Sequence, residues 1–218
     1  MHPNPAFRSA TQSAILAFAR AQGFGMLTVN GPDGPLAAHV PFVLSADGQA
    51  LDLHLARSNP IARAALPGPA LPGPALLAVQ GPDAYISPDW YGPHDQVPDQ
   101  VPTWNYIAVH LRGTLHPLPP DALEPHLDAI SAAQEALLLP KTPWTSAKMT
   151  PGAMPRMMRM ILPFRLQITD MQGTWKLNQN KPPEVRARAA AALRARGGQT
   201  DAQRLADEMD RIPPPDPA

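Results

Sequence analysis

Short apolar runs separated by strong turn sequences constrain this chain more than any other feature. The first three runs cover residues 24–29, 36–44 and 51–56. They are divided by Asn-Gly-Pro-Asp-Gly-Pro and by Ser-Ala-Asp-Gly, which favour tight turns, so the pattern predicts a β-meander. The third run alternates strictly between leucines and polar residues, which places Leu51, Leu53 and Leu55 on one face of a strand. Thirty prolines in 218 residues also fit a turn-rich β protein better than a helical bundle.

The same reasoning assigns elements to the rest of the chain. Further strands are predicted at residues 75–80, 84–87, 103–115 and 164–169. Helices are predicted from a capping box at Ser9 to about Gly23, and at residues 60–66, 121–139, 154–162, 184–196 and 200–211. A five-residue repeat, residues 65–69 and 70–74, is interpreted as a surface loop. Seven or so short antiparallel strands predict a β-rich α+β fold, a closed or nearly closed barrel with flanking helices.

Composition excludes several classes of function. Eighteen basic residues balance eighteen acidic ones, so no large positive field favours binding to a phosphate backbone. The chain has no cysteine, which removes disulfides, thiolate metal sites and cysteine nucleophiles, and its histidines lack the spacing of metal-binding motifs. No apolar window has the length of a membrane span and no signal peptide is evident. We therefore expect a soluble, cytoplasmic protein without a metal or a membrane partner.

Three tryptophan-containing segments combine aromatic rings with amides and hydroxyls. They read Tyr-Ile-Ser-Pro-Asp-Trp-Tyr at residues 85–91, Val-Pro-Thr-Trp-Asn-Tyr-Ile-Ala-Val-His at 101–110 and Gly-Thr-Trp-Lys-Leu-Asn-Gln-Asn-Lys-Pro at 173–182. Such a mixture suits the binding of a flat polar ligand, because rings cover its faces and polar groups meet its edge. Without further information, each tryptophan could equally belong to the core.

In this order, the three segments resemble the motifs of the PaiB-like family of FMN-binding negative transcriptional regulators. Asp89 and Asn178 stand where that family would have serine. The resemblance implies a split β-barrel of the FMN-binding type over residues 1–183, FMN as cofactor and a homodimer. Residues 184–218 fall outside it and form a predicted C-terminal helical tail.

The phosphate of FMN requires cations, hydroxyls or backbone N–H groups. Arg57, Ser58 and Asn59 follow a predicted strand and precede a predicted helix at Pro60, so they form a candidate phosphate site. The alternative is an ordinary strand end with an Asn-Pro turn and a solvated arginine. The resemblance favours the phosphate site.

The ring of FMN requires cover for its faces and hydrogen bonds for its pyrimidine edge. Thr103 and Asn105 should share one face of a strand and suit that edge, while Trp104 lies on the opposite face, toward a ring or the core. Lys176 and Gln179 follow in the third motif, in a segment too polar for a core. A lysine near N1 and C2=O would stabilise the anionic reduced flavin. A solvated loop is the alternative.

His39 is also predicted to contact the cofactor. It lies in a strand two residues before Pro41, which lacks a backbone donor and marks a possible approach to the backbone. The resemblance implies a His-x-Pro pattern here, although a lone strand histidine is more often simply a satisfied polar residue.

Three classes of function remain open. The resemblance implies an FMN-binding negative transcriptional regulator, and a flavin-dependent oxidoreductase or flavin reductase can use the same scaffold. A non-flavin binding module is the third possibility. No DNA-reading helix is recognisable, so DNA contact rests on the arginines at 186, 188, 194 and 196, which also suit a solvated or dimer-packing helix.

Overall fold

A computed structural model describes residues 1–66, 73–93, 96–97, 99–196 and 200–212. Its six strands are β1 (Phe24–Gly31), β2 (Gly34–Leu44), β3 (Ala50–Ala56), β4 (Ala75–Ile86), β5 (Thr103–Pro117) and β6 (Ile161–Lys176). Its six α-helices are α1 (Gln12–Gln22), α2 (Pro60–Ala65), α3 (Leu123–Ala136), α4 (Ala153–Met158), α5 (Pro183–Ala195) and α6 (Thr200–Asp210). Single turns of 3-10 helix lie at Pro5–Phe7, Pro88–Trp90, Pro120–Ala122 and Ser146–Lys148.

The strands form one sheet that closes on itself. Their order is β1-β2-β3-β6-β5-β4, and β1 pairs with β4 to complete the barrel. β1 and β2 form the predicted hairpin, in which Gly31 lies opposite Gly34. β2 with β3 and β3 with β6 are also antiparallel. The predicted β-rich α+β barrel with flanking helices is therefore confirmed.

Packing divides the chain into two compact units. The sheet unit comprises Gln12–Val79 and His110–Met171, and the motif unit comprises Met1–Thr11, Gln80–Val109 and Gln172–Ala218, in each case as far as these residues are described. The predicted boundary after residue 183 stays a prediction. Within the motif unit, contacts cross that position, since Arg188 donates to the carbonyl of Tyr91.

The core of the sheet unit follows the predicted alternation. Leu51, Leu53 and Leu55 of β3 are buried, whereas Asp52 and His54 between them are partly exposed. Each buried leucine contributes roughly 1.5–3 kcal/mol relative to an exposed one. The leucine face of β3 therefore fixes which side of this strand packs inward.

Two predicted helix starts are wrong. α1 begins at Gln12, three residues after Ser9, so Ser9 does not cap it. α3 begins at Leu123, because the preceding residues form a 3-10 turn in which Asp121 makes no capping hydrogen bond. Ser, Thr and Asp are common both in turns and at caps, and the sequence pattern does not separate the two.

The number and length of the later strands also differ from the prediction. β4 is one strand of twelve residues instead of two short ones, and it continues through Pro82. A proline is tolerated in a strand where no backbone donor is required. β6 extends over sixteen residues in place of six, and its start at Ile161 shortens the predicted 154–162 helix to α4. Six strands replace the predicted seven.

The last two helices lie within one residue of their predicted bounds and pack on each other in the motif unit. α6 buries Ala202, Leu205, Ala206 and Met209 at helical spacing. Arg194 of α5 bonds to Asp207 and Asp210 of α6 at 2.9 and 2.6 Å. Part of the five-residue repeat, residues 67–72, lies outside the described residues, as does the proline-rich C-terminal end, residues 213–218.

Candidate functional site

The three tryptophan-containing motifs meet in the motif unit. Nζ of Lys181 lies 5.1 Å from the ring centroid of Tyr91, which joins the first motif to the third. Lys176 donates to Oγ1 of Thr103, which joins the third motif to the second. Tyr85 and Trp104, from the first and second motifs, pack edge to face with ring centroids 6.4 Å apart. Segments far apart in the sequence thus form one cluster.

Tyr91 occupies the centre of this cluster and is only 1% exposed. Its carbonyl accepts a 2.7 Å hydrogen bond from Nε of Arg188 in α5, and Nζ of Lys181 lies 5.1 Å from its ring centroid. Burial raises the pKa of the Tyr91 phenol, although the nearby Asn178 side chain opposes that shift. The phenol is therefore neutral at physiological pH and serves as a buried anchor.

Two of the predicted ring-contacting residues are brought together. Lys176 ends β6 and its ammonium is held by Thr103 at the start of β5. Partial burial lowers the pKa of Lys176. The N-terminal segment lies alongside, because the His2 amide donates to Oγ1 of Thr174 at 3.3 Å. Burial and the nearby Lys176 charge lower the pKa of His2. A fixed ammonium in a partly desolvated position is suited to an anionic ligand edge.

Asn105 and Trp104 differ from what the strand pattern suggests. Asn105 is fully buried and its Nδ2 lies 3.6 Å from Sδ of Met209 in α6, while its Oδ1 has no partner. The predicted contact between Asn105 and the cofactor stays a prediction. Trp104 is 55% exposed, so a core position for it is wrong. The exposed indole remains available to a ligand.

Gln179 has both ends of its amide engaged locally. Its Oε1 accepts from the Leu177 amide at 2.7 Å, and its Nε2 donates to the carbonyl of Trp175. These bonds stabilise a turn in which Asn178 has a positive φ of 61°. The predicted ligand contact of Gln179 stays a prediction, whereas its structural role in the turn is visible. Thr174, Leu177 and Asn178 are buried, so the third motif is not the wholly polar segment expected.

The candidate phosphate residues lie in the sheet unit, between β3 and α2. Arg57 is exposed and its Nε donates to the carbonyl of Arg159 at 2.6 Å, while its two terminal nitrogens have no hydrogen-bond partner among the described residues. Ser58 is also exposed. Asn59 is the N-cap of α2, since its Oδ1 accepts from the Ile61 amide at 2.9 Å. The guanidinium and the hydroxyl thus remain suited to a phosphate, while the amide is engaged in capping.

His39 is an exposed residue of β2 in the sheet unit. Its ring stacks on that of Phe24 in β1, with centroids 6.3 Å apart and an interplanar angle of 16°. Phe24 and the neighbouring Met26 are exposed as well. His39 therefore belongs to an apolar surface patch, and its predicted cofactor contact stays a prediction.

Sequence reasoning missed several residues of the motif cluster. Tyr91 and Lys181 lie inside recognised motifs but receive no individual role from the sequence, and Arg188 is considered there only for contact with DNA. Arg188 is 97 residues from Tyr91 in the sequence. No local sequence pattern predicts a hydrogen bond between residues so far apart, because this bond depends on where α5 packs.

The described part of the chain contains neither a metal-binding group of side chains nor a membrane-spanning helix. No group of three or more histidine, aspartate or glutamate side chains there is arranged to hold a metal ion. None of the described helices combines the length and the apolarity required to cross a bilayer.

Comparison with known proteins places the chain among flavin-binding folds. The "Protease synthase and sporulation protein PAI 2" of Bacillus subtilis is 29% identical over 177 residues, which are 80% of each chain. Among solved structures, an FAD- and heme-binding protein of Mycobacterium smegmatis aligns with a TM-score of 0.54 at 16% identity, over 88% of this chain and 80% of that one. The flavocytochrome Anf3 of Azotobacter vinelandii aligns with a TM-score of 0.55 at 12% identity, over 80% and 72%. At these identities the structural matches show the fold alone.

A family model described as "Putative FMN-binding domain" matches residues 1–170. This range contains all six strands except the last six residues of β6, together with the first two tryptophan motifs. The chain belongs to this FMN-binding family.

Proposed function

We propose that this protein is an FMN-binding regulator of the PAI 2 type, in which the bound flavin, and not a DNA-reading helix, carries the signal. The observation that supports this proposal is the engagement of the α5 arginines in the fold. A PaiB-like regulator that bound DNA directly through α5 would require those arginines to be free.

The arginines of α5 are engaged in internal contacts. Arg186 is 7% exposed and donates to the carbonyl of Ile212 at 2.9 Å. Arg188 is bonded to Tyr91, and Arg194 is paired with two aspartates of α6. Among these four residues only Arg196 has no polar side-chain contact with a described residue. One exposed guanidinium neutralises about one phosphate, which gives weak non-specific attraction to DNA.

The donors of the sheet unit fit the phosphate end of FMN. The two terminal nitrogens of the Arg57 guanidinium can donate side by side to two phosphate oxygens, and Ser58 adds a hydroxyl. Asn59 supports the site indirectly, because its cap fixes the start of α2. We therefore assign Arg57 and Ser58 to the phosphate, with Asn59 as a positioning residue.

The motif unit supplies groups of the kind that a flavin ring requires. Lys176 offers a positive charge of fixed position, and Thr103 holds it there. When bound, FMN supplies hydride and electron transfer. The Lys176 ammonium would stabilise negative charge on the N1–C2=O edge, which favours the reduced ring.

A flavin-dependent oxidoreductase or flavin reductase is the second candidate, and the Lys176–Thr103 pair is the observation that favours it. A regulator that only senses FMN does not require a cation whose position stabilises the reduced ring. The same scaffold supports both outcomes, so the experiment must separate them.

We also propose a cytoplasmic homodimer. Large apolar side chains, among them Phe24 and Met26, are exposed on the single chain. Exposed aromatic surface of this kind is typical of a protein–protein interface or a ligand site.

Fluorescence anisotropy with labelled DNA from upstream of the protein's own gene tests the regulatory proposal. FMN-loaded and FMN-free protein are titrated at two salt concentrations. We expect FMN to change the Kd by about fivefold or more, the lower end of typical coupling between two ligands. The Arg57→Ala variant, at an FMN concentration that saturates the wild type, should lose that response, whereas Arg63→Ala should keep it.

Two outcomes would reject the proposal in different ways. Equal DNA affinity with and without FMN would show that the flavin carries no signal to DNA. Absence of DNA binding together with NAD(P)H oxidation by the FMN-loaded protein would establish the oxidoreductase alternative. In that case Lys176→Met should slow the oxidation, because it removes the charge near the ring.

A further inference from the structure

A surface cleft lies within the motif unit, on the outer side of the motif cluster. Its volume is about 600 Å³, and it is lined by Asp83, Ala84, Tyr85, Trp90, Trp104 and Arg196. Volumes of a few hundred cubic ångströms are typical of small-molecule sites. Of the lining residues only Trp104 is predicted to contact FMN, and the other groups proposed for FMN, namely Arg57, Ser58, Thr103 and Lys176, do not line the cleft.

The walls of the cleft are aromatic and rigidly placed. Tyr85 and Trp104 meet edge to face, with an interplanar angle of 78° and centroids 6.4 Å apart. Trp104 and Tyr85 are 55% and 38% exposed, and Trp90 is partly exposed in the 3-10 turn that follows β4. Exposed ring faces on fixed elements favour a planar ligand, because such a ligand stacks on them at little conformational cost.

The charged groups of the cleft determine which ligand charge it favours. The Arg196 side chain forms no ion pair with any described residue, in contrast to Arg194 two positions earlier. Asp83 is the opposing carboxylate, and its Oδ2 accepts from Nε2 of Gln80 at 2.8 Å. A free guanidinium favours an anionic group, while the nearby carboxylate opposes a second negative charge.

We propose that this cleft binds a planar aromatic monoanion, with its ring against Trp104 and Tyr85 and its carboxylate on Arg196. The proposal does not depend on the function proposed for FMN, because Arg57 and Ser58 of the sheet unit take no part in it. FMN itself carries a dianionic phosphate on a flexible ribityl chain, which the single cation beside Asp83 matches poorly.

Isothermal titration with 2-naphthoate and with the neutral 2-naphthamide tests the charge selection. The wild type should bind the carboxylate about tenfold more tightly than the amide, a ratio expected for one partly solvated charge-assisted pair. Arg196→Gln should reduce that ratio to near one. Arg204→Gln, which removes an exposed arginine of α6 outside the cleft, is the matched control and should leave the ratio unchanged.

A second variant tests the aromatic wall. Trp104→Ala should weaken both probes to a similar extent while keeping the preference for the carboxylate, because it removes a stacking surface and no charge. Circular dichroism of each variant checks that the fold is retained.

The proposal is wrong if the wild type binds neither probe at millimolar concentration, or if Arg196→Gln leaves the ratio at tenfold.

Saturation with FMN should leave the naphthoate Kd unchanged, whereas displacement by FMN would show that the cleft belongs to the flavin site. Loss of probe binding upon dimer formation would identify the cleft as an interface between two chains. Arg57→Ala should weaken FMN binding at least tenfold without affecting 2-naphthoate, so the two proposals fail separately.

Discussion

Tyr91 is the residue through which the tryptophan motifs and α5 are joined. Its ring and its carbonyl have different partners, namely Lys181 and Arg188. Because all of these contacts are buried or partly buried, water cannot replace them without disturbing the packing. We regard Tyr91 as the anchor that positions the second and third motifs beside the first.

Removal of the Tyr91 hydroxyl should therefore be costly. Tyr91→Phe removes a hydroxyl from the centre of the motif cluster, at a side chain that is only 1% exposed, which we expect to destabilise the protein by about 1 kcal/mol. Urea unfolding measures the change. Tyr106→Phe, at a partly exposed tyrosine of β5, is the control and should change the stability by less than about 0.5 kcal/mol. Equal losses in both variants would remove the special role of Tyr91.

A histidine pair in the sheet unit makes the stability depend on pH. Nδ1 of His54 lies 3.1 Å from Nε2 of His126, which is 5% exposed and has no partner for its Nδ1. Burial, then the nearby His54, lowers the pKa of His126 from 6.5 to about 4, although the charge of Asp52 opposes the shift. Asp52 is itself paired with Arg165 of β6 at 2.7 Å. Burial lowers the pKa of His54 as well.

Between pH 6.5 and about 4 the unfolded chain binds more protons at His126 than the folded chain does. The free energy of unfolding should therefore fall as the pH decreases through this window and level off below it. We expect a loss on the order of 2 kcal/mol, after a discount for solvent screening. Urea unfolding at several pH values measures it. His126→Gln should flatten the dependence, while His39→Gln should not; an unchanged slope in His126→Gln would contradict the assignment.

At the scale of elements, a close approach of β5 to β6 makes one glycine indispensable. A Cβ atom on Gly113 would lie 1.8 Å from the carbonyl oxygen of Gln167, which is backbone and cannot rotate away. We expect Gly113→Ala to destabilise the sheet unit by roughly 3 kcal/mol or more, because the strands must separate. Thermal unfolding measures the effect, with Thr114→Ala as the control on the same strand. A Tm within about 2 °C of the wild type would mean that the strands are not this close.

How far the sequence predicts these elements depends on how local their determinants are. The leucine alternation of β3 and the spacing of α5 and α6 are local, and the predictions of these elements were accurate. The long β4 and β6 were predicted as shorter pieces, because Pro82 and Pro163 read as interruptions in isolation. Their tolerance depends on which backbone groups the neighbouring strands require.

The candidate site shows the same division. Motif order identified the family, and it singled out Thr103 and Lys176 because both lie in recognisable segments. The hydrogen bond between these two residues is visible only in the structure. The burial of Asn105 against Met209 and the bond from Arg188 to Tyr91 depend on the packing of the last two helices. No pattern within a single segment carries that information.

At the scale of the whole molecule, the described residues include large exposed apolar side chains. Phe24 and Met26 of β1 are 54% and 39% exposed and lie side by side on one surface. We expect a homodimer that covers this surface. Multi-angle light scattering should give twice the 23.4 kDa chain mass at micromolar concentration. A single-chain mass across that range would contradict the dimer.

The most direct test of the central claim is isothermal titration of the flavin-free protein with FMN and with riboflavin. We predict FMN binding with a Kd of about 10 μM or tighter, near −7 kcal/mol. Arg57→Ala should weaken FMN at least tenfold and riboflavin little, because only FMN carries the phosphate, while Arg63→Ala on α2 should affect neither. Absence of FMN binding at tens of micromolar would contradict the account, and an equal loss of both ligands in Arg57→Ala would show that Arg57 does not hold the phosphate.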